Sequence, residues 1–352
     1  MRLSLLSQCL LAAAIVPCAW HSAQAQEADV CSNGNVPRPP VVNLRIDNDI
    51  FGGQDQGYSN GLQLTLVSPN LRDYATDPCI PRLAQWINSH LSALQPKGFE
   101  QRNMIGTFAQ GIFTPNDYDR RDLIEDDRPY AAVLLFGVGY NARNENRLHT
   151  TQLQVGILGP AAMGEQAQNG VHGMLGIDKF RGWDNQLKNE PVFRIVHERM
   201  RRFAPEAHDS GWGWDAISHY GGSFGNLTTY ANAGGELRFG RNLPDDFGST
   251  PLRPAGENTA PIRESRNSYP QGAHLFLHFD ARLVARDISL DGNTFRDSHS
   301  VDKREAVANF GYGFAWMLNQ WKFAVARYHS TREFDGQKEA PVFGSFTISK
   351  AL

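Results

Sequence analysis

From Val41 to the end of the chain, apolar and polar residues alternate in segments separated by turn-rich or charged connections. The segments are Val41–Ile50, Tyr58–Ser68, Asn103–Phe113, Tyr130–Tyr140 and Arg147–Leu158, then Val192–Phe203, Trp212–Gly222 and Leu227–Phe239. His274–Ile288, Ala306–Leu318, Trp321–Ser330 and Val342–Leu352 complete them, twelve in all. Each reaches about 9–11 residues or more, the length a tilted strand needs to cross a bilayer. An even antiparallel meander can close on itself and leave no strand edge unsatisfied in lipid. A soluble β-sandwich would alternate in the same way, but three features favour a barrel. Glycine recurs inside segments such as "LLFGVGYNA" and "NFGYGFAW", where a sandwich core prefers large residues. Aromatics (Phe113, Tyr130, Tyr140, Trp212, Trp214, Trp316, Trp321) gather near segment ends, as an interfacial belt does. The chain's last residues also read as a strand. The expected fold is therefore all-β, a transmembrane antiparallel β-barrel of about 12 strands over residues 41–352.

The N-terminus points to export. Arg2, an apolar run from Leu3 to Trp20, and Ala23-Gln24-Ala25 describe a signal peptide over residues 1–25, cleaved after Ala25. Residues 26–40 then form a periplasmic N-terminal segment. No later run approaches the ~20 apolar residues of a membrane helix, although barrels show none either. The net charge of -3 and the absence of a basic, aromatic-interleaved run argue against nucleic acid as a partner. Cys31 and Cys79 remain after cleavage, in a compartment where a disulfide can persist.

If the first strand rises from the periplasm, connections after odd segments are extracellular, and these hold most of the unusual chemistry. The first, within "IDNDIFGGQDQGYSNGLQLTL", gathers Asp47, Asn48, Asp49, Asp55, Gln56, Ser59 and Asn60. Hard oxygen donors of this kind suit calcium, and a polar rim with Asx-turns explains them equally. In "GPAAMGEQAQNGVHGMLG" the residues Glu165, Gln168 or Asn169, and His172 recur at helical spacing. This is the expected short helix, with His172 a candidate general base. Asp178, Asp184 and Glu190 follow as possible cation ligands, although for Asp184 and Glu190 a solvated loop capping the helix is the better explanation. Arg120, Arg121 and Arg128 could fork onto a substrate phosphate, and the neighbouring acids account for them as surface pairs. On the periplasmic side, 70–101 and 241–272 are long for such turns; the second, rich in Pro, Gly and charge, is expected to be an exposed loop. G-x-S-x-G, H-E-x-x-H and P-loop motifs are missing.

Taken in order, "NDIFGGQDQGYSNGL", "DDRPYAAVLLFG", "GILGPAAMGEQAQNGVH", "GWDNQLKNEP" and "LDGNTFRDSHSVDK" resemble the outer-membrane lipid A deacylase family of the LpxR type, across nearly all of residues 41–352. The resemblance implies a monomeric, twelve-stranded barrel of the outer membrane acting on lipid A or lipopolysaccharide in the outer leaflet. It implies a lipid A 3′-O-deacylase that hydrolyses the 3′-linked acyloxyacyl ester with Ca2+ as cofactor. Carried onto this sequence, the catalytic residues are His172, Asn48, Ser59 and Gln168, and the metal ligands Asp49 and Asp178. At Asp178 the family has Glu, a longer side chain, and at Ser59 it has Thr. Two other readings are a non-catalytic outer-membrane pore and an outer-membrane phospholipase with a serine nucleophile.

Overall fold

A computed structural model of the protein describes residues 41–49, 57–78, 80–176, 178–205, 210–249 and 271–351. The signal peptide, the segment 26–40, Cys31 and Cys79 lie outside the described residues. All twelve alternating segments are strands. They are β1 (Val41–Asn48), β2 (Gly57–Val67), β3 (Gln101–Thr114), β4 (Ala131–Arg143), β5 (Arg147–Leu158) and β6 (Glu190–Phe203). The second half comprises β7 (Trp212–Phe224), β8 (Thr228–Arg241), β9 (Gly272–Asp287), β10 (Ala306–Leu318), β11 (Trp321–Ser330) and β12 (Val342–Ala351). Each pairs antiparallel with its sequence neighbours, and β1 pairs with β12, so the sheet closes into a barrel.

The alternation resolves into two surfaces. One row on each strand faces the lumen and is largely polar yet buried: Asn43, Arg45 and Asp47 on β1, Gln152 and Gln154 on β5, Asp215 and His219 on β7. The other row is apolar yet exposed, as with Leu62, Leu64 and Leu66 on β2 and Leu275, Leu277 and Phe279 on β9. A wall apolar outside and polar inside is what a lipid solvent requires. Among the described residues no helix is long and apolar enough to cross a membrane.

The start of β1, the end of β12 and the tight Asn319–Gln320 turn fall at the periplasmic end. There the two long connections go different ways. The first carries α1 (Arg82–His90) and climbs the outside of the wall, where Asn88 is fully buried and accepts from Tyr140 Oη at 2.8 Å. The second differs from the expected exposed loop at its start, where Asp246, Phe247 and Ser249 are buried in the lumen; residues 250–270 lie outside the described residues. The cause is electrostatic. Arg238, fully buried on β8, is shared between Asp215 (2.7 Å) and Asp246 (2.5 Å), and Lys322 on β11 reaches Asp246 at 2.6 Å. A buried cation without a counter-charge is costly, so these wall cations draw the acid-bearing segment inward.

Candidate active site

The expected outer-loop helix is present as α2 (Gly164–Leu175), preceded by a short 3-10 turn, Pro160–Ala162. Three glycines in its twelve residues (Gly164, Gly170, Gly173) give it poor intrinsic propensity, so packing must hold it. It ends at Gly176, in the left-handed region at φ 70°, whose N–H returns to the His172 carbonyl.

The packing surface is the outside of the barrel. Ile112 and Ala132 belong to the outward rows of β3 and β4, and both are buried beneath Ala162, Phe180 and Trp183. Gly164 permits the close approach: a Cβ there would stand 2.3 Å from Ala132 Cβ. Gln110 Nε2 donates to the Ala162 carbonyl at 2.6 Å, fastening the helix entrance to the wall. Behind the helix, Tyr130 packs at a tilt against Trp183 (5.0 Å) and edge-on against Phe180 (6.2 Å). Burial pushes the Tyr130 phenol up to about 12, so it stays neutral and contributes packing.

The buried stripe of α2 is Gly164, Gln168 and His172, at i, i+4 and i+8. Glu165 is one position, or about 100°, away from that stripe and is exposed. His172 is fully buried, and its two ring nitrogens have different partners. Nδ1 lies 2.5 Å from the Asp178 carbonyl. A carbonyl only accepts, so Nδ1 carries the proton and Nε2 the lone pair. Nε2 accepts from Gln168 Nε2 at 3.0 Å. Gln168 Oε1 is buried with no hydrogen-bond partner among the described residues. Phe180 closes the ring's side at 5.6 Å.

On the hairpin side, alternation separates the acids from the amide. Asp47 faces the lumen and is bound to Arg45 at 2.7 Å, whereas Asn48 points outward and is buried, as is Asp49 just beyond the strand. The register carries an outward row from Asn48 through Asn60 and Ile112 to Ala132, which is the floor of α2. Two strand spacings, about 10 Å, separate Asn48 from Ile112. The β2–β3 register shifts between Tyr58 and Asn60, so Ser59 falls at a bulge, a device that re-aims side chains beside functional sites. Its own side chain lies outside the described residues.

Asp178 meets His172 through its carbonyl, while its side chain is exposed. Arg120 and Arg121 are exposed on the β3–β4 loop. Arg128 is not beside them: it lies buried over the Phe113 ring on the lumen side, bonded to Glu333 (3.0 Å) and Ser289 (3.1 Å). Sequence reasoning missed Gly164, Phe180 and Trp183; the three residues between Trp183 and the "LKNEP" run gave no periodic signal for them. No group of three or more His, Cys, Asp or Glu is placed to hold a metal among the described residues. The oxygen-only character of Asp49, Asn48 and the orphaned Gln168 Oε1 nonetheless suits a hard cation.

The fold and this site define a class: a closed outer-membrane barrel with a buried histidine carried by a loop helix that packs on its outer wall at the extracellular end. The chain belongs to the family described as outer membrane protein LpxR, whose model matches residues 5–352, and it is an outer-membrane protein. Among solved structures it is similar to LpxR from Salmonella typhimurium, with a TM-score of 0.70 and 17% identity over 89% of this chain and 100% of that one. The β domain of the Bordetella autotransporter BrkA (TM-score 0.43, 9% identity, 90% and 100% covered) and the KdgM porin (0.35, 5%, 89% and 99%) also match. No curated protein matches the chain.

Proposed function

We propose that this chain is an outer-membrane lipid A 3′-O-deacylase that hydrolyses the 3′-linked acyloxyacyl ester with His172 as general base. Family membership and the structural likeness support the coarser reading, an outer-membrane lipid A deacylase. The observation that carries the finer one is a histidine of fixed tautomer, its lone pair on Nε2, on the buried stripe of α2 and against Phe180, which packs on the outer face of the wall. A lipid of the outer leaflet approaches that face laterally, without entering the lumen.

In the reaction, water attacks the ester carbonyl carbon as Nε2 of His172 takes its proton, and the carbonyl electrons move onto oxygen. Nδ1–H stays bonded to the Asp178 carbonyl, which steadies the imidazolium that forms. As the tetrahedral intermediate collapses, the bond to the sugar 3′-oxygen breaks and that oxygen takes the proton back from Nε2. The products are the acyloxyacyl acid and a free 3′-hydroxyl. Gln168 holds the lone pair in the resting geometry, so its amide must turn aside for water. Rotated by 180°, it presents Oε1 as an acceptor for the protonated ring. Asn48 and Ser59 are assigned to hydrogen bonding at the oxyanion. Asp49 and Asp178 would hold calcium, which supplies Lewis-acid polarisation of the carbonyl when bound.

Purified protein given lipid A in detergent, with calcium or with a chelator, tests this by mass spectrometry of the products. Loss of the 3′ acyloxyacyl group, stopped by chelator, is expected. Cleavage of glycerophospholipid with lipid A untouched would favour the serine phospholipase instead.

A further inference from the structure

The wall is not apolar all round. On β5 the outward row begins Arg147, His149, Thr151 before turning to Leu153, Val155 and Ile157. Its register partners on β6 are Arg201, Arg199 and His197, followed by Ile195 and Phe193. Arg147, Arg199 and Arg201 are exposed, and no acid stands in either outward row; Glu100 and Glu145 lie outside the rows, Glu145 in the turn below and Glu100 just before β3. On the opposite side, the corresponding positions are Leu237, Phe239, Trp316 and Trp321. Elsewhere at this end, among the described residues, outward basic side chains stand singly, as Arg241 does on β8 and Lys350 does over the Trp321 ring on β12, whereas here three arginines share two adjacent strands.

Beside it sits the periplasmic connection that carries α1. Tyr140 and Met104, in outward rows of β4 and β3, are covered by Leu71, Tyr74 and Ile80, with Asn88 bonded to Tyr140. The opposite face of α1 leaves Leu83 at 68% and Trp86 at 62% exposure, the pattern of a helix lying in a membrane interface. Phe99, at the end of the connection, packs edge-on against His149 at 4.7 Å, so the connection that carries α1 adjoins the stripe.

We propose that this surface binds the phosphodiester headgroup of an anionic glycerophospholipid in the periplasmic leaflet. Guanidinium forks of Arg147, Arg199 and Arg201 take the phosphate, and Leu83 and Trp86 lie among the acyl chains beside it. His197 steadies the fork: it accepts from Arg199 Nε at 3.3 Å while bonded to Thr151 at 2.8 Å. The site lies at the opposite membrane face from His172 and does not depend on the deacylase reading.

Full-length protein in detergent is offered phosphatidylglycerol or phosphatidylcholine with the same acyl chains, and retained lipid is counted by native mass spectrometry. Phosphatidylglycerol should be retained about tenfold better, since each arginine at the surface contributes to the attraction, and Arg199→Gln/Arg201→Gln should abolish that preference. Equal retention of both lipids by the unmodified protein overturns the proposal without any variant. So does displacement of phosphatidylglycerol by equimolar inorganic phosphate, or an equal preference for lipid A that the arginine substitutions leave unchanged. Heat-modifiable mobility on gels reports whether the variant barrel has folded, and Trp86→Ser, which leaves the wall intact, should also weaken retention.

Discussion

His172 and Gln168 form the smallest unit of the account, because one geometry fixes both the tautomer and the direction of the base. Replacing Gln168 with Leu removes the donor to Nε2 and leaves Nδ1 bonded to Asp178. Gln168 acts through His172, so turnover should fall about tenfold, in line with one lost hydrogen bond of about 1.4 kcal/mol, while KM for lipid A stays unchanged. A rise in KM with unchanged kcat would mean that Gln168 binds substrate. At this scale alternation was readable: it separates Asn48 from Asp47, and the structure sends Asp47 to Arg45 in the lumen. Helical spacing located His172 and Gln168, but it also grouped Glu165 with them, because spacing alone does not say which arc of a helix meets a wall. Arg128 looked like its neighbours Arg120 and Arg121 in sequence, and only the closed barrel brings Phe113, Ser289 and Glu333 around it.

The decisive element is α2, a glycine-rich helix kept on the wall by contact. Gly164→Ala would drive a methyl group to 2.3 Å from Ala132 Cβ, and overpacking of this kind costs about 1–3 kcal/mol. The helix should lift, so deacylation should drop at least tenfold while the barrel keeps its folded gel mobility; unchanged activity would show that the seating of α2 does not position the base. The strands were legible because each must alternate to face lipid and lumen, and β5, β10 and β11 begin and end where the alternation does. By contrast α1 was not read: Leu83, Ala84, Trp86 and Ile87 recur at helical spacing, but over only nine residues inside a long connection, a run too short to stand out without the wall it packs on.

At the level of the whole molecule, the polar lumen and the inserted segment after β8 depend on each other. Asp246→Ala would leave Lys322 and one arm of Arg238 without their counter-charge, a change of about 3–5 kcal/mol, seen as a lower temperature for loss of folded gel mobility. Burial pushes the Asp246 carboxyl up, but Lys322 and Arg238 outweigh it and hold it well below the ordinary value. A depressed carboxyl contributes fully above its unfolded value of about 4 and loses that contribution only as pH falls through the lowered one. Melting should therefore match at pH 7 and pH 5 as far as this group is concerned. Composition suggested an exposed loop here because Pro, Gly and acids describe one equally well; of the cations that draw it inward, Lys322 lies 76 residues away on β11, and Arg238, though near in sequence, meets Asp246 only because the strand turns it into the lumen.

The central claim is that a histidine on the outer wall performs the hydrolysis. Mass spectrometry of lipid A from outer membranes holding equal amounts of folded wild-type or His172→Ala protein tests it most directly. 3′-Deacylated lipid A is expected with the wild type and a loss of about a thousandfold in the variant, as for removal of a general base. Equal deacylation by both proteins would contradict it.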